Sequence, residues 1–359
     1  MTTTQIIAEA GVNHDGQLDR AFALVDVAAE AGADWVKFQT FDPAALVAED
    51  AVQAEYQTAN TGRRESQRSM LDRLVLSQDA HVALRRHCEN ASIRFLSTPF
   101  DPGSLNFLLD VLGLDTLKFG SGDLTNAPLL LRAARSPARL IISTGMATDT
   151  EIEAALGTIA FGVSGSRERP GRTAFREAFA DPSSRERLRD KVTLLHCTSA
   201  YPAPFDSLNL KAIPAMADRY SLPVGFSDHS AGIAAPLAAV ALGAVMIEKH
   251  VTLDRTLPGP DHAASLEPSE LTAMVAGIRQ IELAMGDARK VLRDAESNVR
   301  DVARKSLHTA RAIKAGDLFT EENLTTLRPG TGVCASEYHD WLGRRAARDY
   351  RVGERIDAI

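Results

Sequence analysis

Short apolar runs that end in polar or ionisable side chains recur along the first 250 residues. IIAEAG from Ile6, WVKFQT from Trp35, IRFLSTPF from Ile93, TLKFGSGD from Thr116, RLIISTGM from Arg139, VTLLHCTSAYP from Val192, PVGFSDHS from Pro223 and AVMIEKHV from Ala244 read as strands. Between them, stretches from Leu18 to Ala31 and near 78–90, 102–112, 126–135, 149–160, 209–219, 232–242 and 268–285 carry apolar residues at helical spacing. Strand and helix alternate eight times, which predicts an α/β fold with a closed parallel (β/α)8 (TIM) barrel. Two stretches break the rhythm. Residues 41–77 form a long connection, and 161–190 is charged and loop-like with helical pieces. Long barrel loops serve as lids or interface elements, and for the second stretch a solvated decoration is an equal alternative.

The rhythm stops near residue 290. The predicted division is a barrel over 1–286, a charged helical linker over 287–302, and a small β-rich domain over 303–359, broken by Gly316, Pro329 and Gly330. That tail reads as too small and too poor in apolar residues to stand alone, so it is expected to dock on a barrel.

Composition narrows the function. A formal charge of −7 argues against a nucleic-acid partner. No apolar run approaches the length of a membrane span, and the N-terminus MTTTQIIAEAG lacks the features of a signal peptide. Cys88, Cys197 and Cys334 are odd in number and far apart, which fits a reducing cytoplasm and buried thiols rather than a disulfide framework.

Polar and ionisable residues fall where a barrel builds its active site, at the C-terminal ends of the strands. There stand Glu9, Lys37, Gln39, Thr98, Lys118, Ser121, Ser143, His196, Ser199, Ser227, His229, Glu248 and His250. His229 and His250 end successive strands and could share one divalent metal, with Asp228 and Glu248 near enough to orient a ligand or a substrate. Lys37 and Lys118 suit an anionic substrate, with hydroxyls from Thr98, Ser121 and Ser143 and backbone amides of TPF, GSG and STG as further donors. The competing reading is a set of internal salt bridges from the two lysines to Glu9 and Glu248.

Longer motifs carry a resemblance. IIAEAGVNHDGQLDRA, KFQTF, EYQTANTG, FLSTPFD, LKFGSGD, IISTGMAT, LHCTSAYPAPFDSLNL, GFSDHS, IEKHVTLD and PGPDHAASLEP closely resemble the bacterial N-acetylneuraminate (sialic acid) synthase family, which includes legionaminate and pseudaminate synthases. The tail, ARKSLHTARAIKAGDLFTEENLTTLRPGTG, resembles their antifreeze-like SAF domain, a β-clip fold. The resemblance implies a cytoplasmic enzyme, a domain-swapped homodimer, and a divalent metal, usually manganese, with magnesium or cobalt as substitutes. Lys37, Thr98, Lys118, Ser121, Ser143, Ser199 and Ser227 would hold phosphoenolpyruvate, and His229 and His250 the metal. Gln39, Asn60, Tyr201, Glu248 and Asp261 would meet the N-acetylated hexose, with Arg328 supplied by the partner's tail. HCTSAYP departs from the pattern, because Ser199 stands where some relatives carry asparagine, a donor of longer reach.

The implied reaction joins C3 of phosphoenolpyruvate to the aldehyde carbon of the open-chain sugar and releases phosphate by C–O cleavage. Glu9 would hold or deprotonate the water that captures C2. N-acetylmannosamine is the first expected sugar, with its 2,4-diacetamido-2,4,6-trideoxy relative as the alternative. Three rivals remain at this stage. One is a Schiff-base pyruvate aldolase using Lys37 or Lys118, another a non-catalytic sugar-binding or antifreeze-like protein, and the third a barrel synthase acting on a short phosphosugar.

Overall fold

A computed structural model describes residues 3–357. Eight parallel strands form the first unit: β1 Gln5–Gly11, β2 Trp35–Thr40, β3 Arg94–Pro99, β4 Thr116–Phe119, β5 Arg139–Ser143, β6 Val192–Cys197, β7 Val224–Asp228 and β8 Met246–His250. Hydrogen bonding runs β3-β2-β1-β8-β7-β6-β5-β4, and β3 lies beside β4 to close the ring. This is a (β/α)8 barrel. Helices return the chain between strands, among them Leu18–Glu30, Gln78–Asn90, Ala127–Arg135 and Asp149–Ser164, and Pro268–Met285 follows the last strand. Their starts are written locally. Ser77 accepts from the amide of Ala80 and Asn126 from that of Leu129, and Thr148 with Glu151 forms a capping box.

Alternation along the strands sets the site. Ile7, Trp35, Leu96, Ile141, Leu195 and Met246 point into the barrel and pack there as an apolar floor. Residues of opposite parity, such as Ile6, Val36, Phe38, Leu140, Leu194 and Ile247, join the large core between sheet and helices. Two positions beyond each floor residue stand Glu9, Lys37, Thr98, Ser143, Cys197 and Glu248, and all six line one cavity. The barrel therefore changes from oil to polar groups within one step of its own pleat.

Both irregular stretches are more ordered than their sequence implies. Residues 41–77 contain helices Pro43–Leu46, Glu55–Thr61 and Gln67–Asp72. Residues 161–190 are mostly two helices, Arg172–Ala180 and Pro182–Lys191, packed on Asp149–Ser164. The stretch predicted helical at 102–112 begins as Pro102–Asn106 and finishes in a π turn, Phe107–Val111.

Compact units span Met1–Gly286 and Asp287–Ile359. In the second, helix Asp294–Ala303 precedes an antiparallel pair, β9 Ser306–Thr309 and β10 Leu324–Leu327. The expectation of an apolar-poor tail is corrected here. Leu307, Ile313, Phe319, Leu324, Val333, Trp341, Ala346, Tyr350 and Ile356 form a buried core of its own. No helix among the described residues is long and apolar enough to cross a membrane.

Candidate active site

At the C-terminal ends of the strands lies a cavity of about 710 Å³. Glu9, Lys37, Gln39, Thr98, Lys118, Ser121, Ser143, Ser199, Tyr201, Ser227, His229, Glu248, His250 and Asp261 all line it. Of the predicted site residues, Asn60, His196, Asp228 and Arg328 fall outside this wall. Asn60 Nδ2 donates to the carbonyl of Pro260 at 2.7 Å, so it braces the rim beside Asp261. Arg328 belongs to the second unit, exposed at the end of β10, and no described residue pairs with it.

The lysines are not bare charges. Lys37 Nζ lies 2.8 Å from Glu9 Oε2 and 3.6 Å from Glu248 Oε2, and Lys118 Nζ lies 3.3 Å from Glu248 Oε1. The internal salt bridges expected from the sequence are therefore present. Burial raises the Glu9 carboxyl to about 7, although Lys37 opposes the shift. Burial would raise Glu248 as well, but Lys118 and Lys37 outweigh it and hold that carboxyl down at about 2. Lys37 and Lys118 thus face two carboxylates, and burial makes one of them, Glu9, costly to keep charged, so an incoming anion can share the two ammonium groups. Thr98 Oγ1 accepts from Lys37 Nζ at 3.3 Å, and Ser227 Oγ donates to Glu248 Oε1 at 2.8 Å.

A cradle adjoins these charges. The amide of Gly145 donates to Ser121 Oγ at 2.8 Å. A Cβ at Gly145 would stand 2.3 Å from Ser199 Oγ and 2.8 Å from Ser121 Oγ, so a larger residue in the STG turn would displace both hydroxyls. Ser143 Oγ is buried with no partner among the described residues, as expected of a hydroxyl aimed at a ligand.

The two imidazoles stand with ring centroids 5.5 Å apart. His229 Nδ1 lies 2.9 Å from the carbonyl of Thr198. That contact places its proton on Nδ1 and leaves the Nε2 lone pair free for a cation. His250 Nδ1 is buried without a partner among the described residues. This pair fits a divalent metal. Among the described residues no group of three or more His, Cys, Asp or Glu side chains could hold one, so water or substrate would complete its shell. Tyr201 packs on His229 at 4.1 Å between ring centroids.

Two expectations change. Asp228 does not orient a ligand in the cavity. Alternation turns it away from Ser227, and it forms a fully buried ion pair with Lys249 at 2.5 Å. His196 likewise faces outward, its Nε2 at 2.7 Å from the carbonyl of Leu208. Sequence reasoning treated Cys197 as an inert buried thiol, yet it lines the cavity with Sγ 3.7 Å from His229 Nδ1. Its place two residues after Leu195 was the available signal. Asp123, in GSGD, also lines the cavity, and burial raises its carboxyl.

The far wall is mainly apolar, with Gln57 and Gln67 as its polar members. Val12, Phe41, Leu46, Val47, Met70, Leu71, Leu74 and Phe100 pack together and face the same space. Most come from the 41–77 connection, which is therefore part of the site.

Residues 24–290 match the profile of the NeuB family, and residues 304–358 that of the SAF domain. The chain belongs to the NeuB family, the sialic acid synthases. Among its NeuB relatives, the N,N'-diacetyllegionaminic acid synthase of Campylobacter jejuni is 45% identical over 356 residues, covering 99% of each chain. The enzyme of the same name from Legionella pneumophila is 41% identical, over 98% of this chain and 92% of its own length. The crystal structure of an N-acetylneuraminic acid synthetase from Leptospira borgpetersenii superposes with a TM-score of 0.65 at 33% identity, over 83% of this chain and 90% of that one.

Proposed function

We propose that this NeuB-family protein condenses phosphoenolpyruvate with 2,4-diacetamido-2,4,6-trideoxymannose and water to give N,N'-diacetyllegionaminate and phosphate. The observation that carries the reading is the two-sided cavity. One side offers two lysines, two glutamates, two imidazoles and a glycine cradle, while the other is a mainly apolar wall in which Gln57 and Gln67 are the polar members. A second acetamido group and a C6 methyl in place of hydroxyls match that wall better than N-acetylmannosamine does. The two legionaminic acid synthases support the same choice.

Lys37 and Lys118 would meet the phosphate and carboxylate, with Thr98, Ser121, Ser143, Ser199 and Ser227 as neutral donors. Gln39, Tyr201, Glu248 and Asp261 would orient the sugar, and Asn60 would act through the rim. A divalent cation held by His229 and His250, manganese by the family resemblance, would supply Lewis-acid polarisation of the sugar's aldehyde oxygen. C3 of phosphoenolpyruvate then bonds to the aldehyde carbon. Glu9, held at about 7, is placed to take the proton from the water that adds to C2. The tetrahedral intermediate expels phosphate by breaking its C–O bond. Arg328 would close the sugar end from the partner's tail in a homodimer.

Phosphate release from phosphoenolpyruvate, measured with both sugars, tests the choice. The diacetamido sugar should be the better substrate by kcat/KM. A preference for N-acetylmannosamine would reverse the assignment, and no phosphate with either sugar would remove it.

A further inference from the structure

Side chains that take no part in the reaction tie the loop after β1 to the loop after β8. His262 is fully buried. Its Nε2 lies 3.3 and 3.2 Å from the two carboxylate oxygens of Asp15, and its Nδ1 lies 2.7 Å from Thr252 Oγ1. Arg20 pairs with the same Asp15 carboxylate through Oδ2. Thr252 Oγ1 also donates to the carbonyl of Asp254 at 3.0 Å. Gly259 lies directly on this contact. A Cβ there would stand 2.5 Å from His262 Cδ2 and 2.7 Å from Asp15 Oδ1.

What the tie holds is Asp261, the neighbour of His262 and part of the cavity wall. The carbonyl of Asp261 accepts from Ser265 Oγ at 2.7 Å, and Ser265 Oγ accepts from Asn13 Nδ2 at 2.9 Å. Residues 13–15 therefore grip the segment around Asp261 through both Ser265 and His262. Residues 256–261 lie outside any β-ladder and their main-chain bonds are short-range turn bonds such as Gly259 N to Leu257 O and Ala264 N to Asp261 O, so these long-range side-chain contacts are what anchor the segment to the loop after β1.

We propose that Asp15, His262 and Thr252 form a latch that holds Asp261 in the cavity and thereby sets the affinity for the sugar. All three are positioning residues. The inference rests on the reading that Asp261 meets the sugar, but the latch itself can be observed without substrate.

The test combines amide hydrogen exchange with kinetics on the full-length protein, using Asp15→Asn, Thr252→Val and Thr252→Ser. Asp15→Asn and Thr252→Val should raise exchange across residues 256–266 by roughly tenfold while the barrel strands stay protected. They should also raise the sugar KM by roughly tenfold and leave the phosphoenolpyruvate KM within about twofold. Thr252→Ser, which keeps the hydroxyl, should behave as wild type. Should Asp15→Asn fail to fold, the Thr252 pair carries the comparison. Unchanged exchange in Thr252→Val overturns the latch, and so does an equal rise in both KM values. Inactivity of the wild type with both sugars would instead sink the proposed function and leave exchange alone to decide on the latch.

Discussion

Glu9 is the residue whose protonation the site controls most closely. It is buried among Lys37, Gln39 and Glu248, and burial lifts its carboxyl to about 7 against the pull of Lys37. Below that pH it holds its proton and cannot accept one from water. kcat/KM should therefore fall as the pH drops through about 7. Glu9→Gln should lose roughly 10²–10⁴-fold in turnover and lose that limb of the profile. A Glu9→Gln enzyme with wild-type turnover and the same profile would take Glu9 out of proton transfer. At this scale the sequence was informative because strand parity decides which side chains share a space. Glu9, Lys37, Thr98, Ser143 and Glu248 share the parity of the floor residues and could be read as a group. Asp228 was misassigned because it lies beside His229 in sequence, and adjacency in a strand puts two side chains on opposite faces. Cys197 was missed for the reverse reason. Its residue type suggested core, while its parity placed it with the active groups.

The 41–77 connection is the element that departs furthest from its sequence pattern. Its helices Pro43–Leu46, Glu55–Thr61 and Gln67–Asp72 are too short to show a helical period, and such segments are held by tertiary contacts rather than propensity. Only folding brings Phe41, Leu46, Val47, Met70 and Leu74 onto the same surface as Val12 and Phe100. This wall is the proposed basis for sugar choice, and Val47→Thr tests it at nearly constant volume. Exchanging one methyl for a hydroxyl should cost the diacetamido sugar about 1 kcal/mol, roughly a fivefold loss in its preference over N-acetylmannosamine. A preference that stays fixed or rises would move the selection to another part of the cavity. The helices at 172–191 were obscured for a different reason. Their charged faces are solvated, and their apolar residues, such as Phe175 and Phe179, pack outside the barrel on Asp149–Ser164.

At the scale of the whole molecule, a barrel with a polar mouth is joined in sequence to a small unit with its own core. The barrel was legible because its two periods repeat eight times. The tail's core was not, because its apolar residues are scattered over short strands and turns and carry no single period. Arg328 sits on that tail, and the proposed swapped dimer puts it to work across two chains. Mixing Arg328→Ala with His229→Ala under subunit exchange would place both lesions in one site of each mixed dimer and leave the other intact. Activity should return to about a quarter of the wild-type level, since half of the dimers are mixed and each has one sound site. Demonstrated exchange without activity would place the arginine in cis or outside the site. The central claim, however, concerns which bond breaks. Phosphoenolpyruvate carrying heavy oxygen in its C–O–P bridge, turned over with the diacetamido sugar, tests that claim most directly by mass spectrometry of both products. The account predicts that all of the label leaves in the phosphate and that the new sugar acid carries none. Label retained in the sugar acid, or condensation that proceeds from pyruvate without phosphate release, would contradict it.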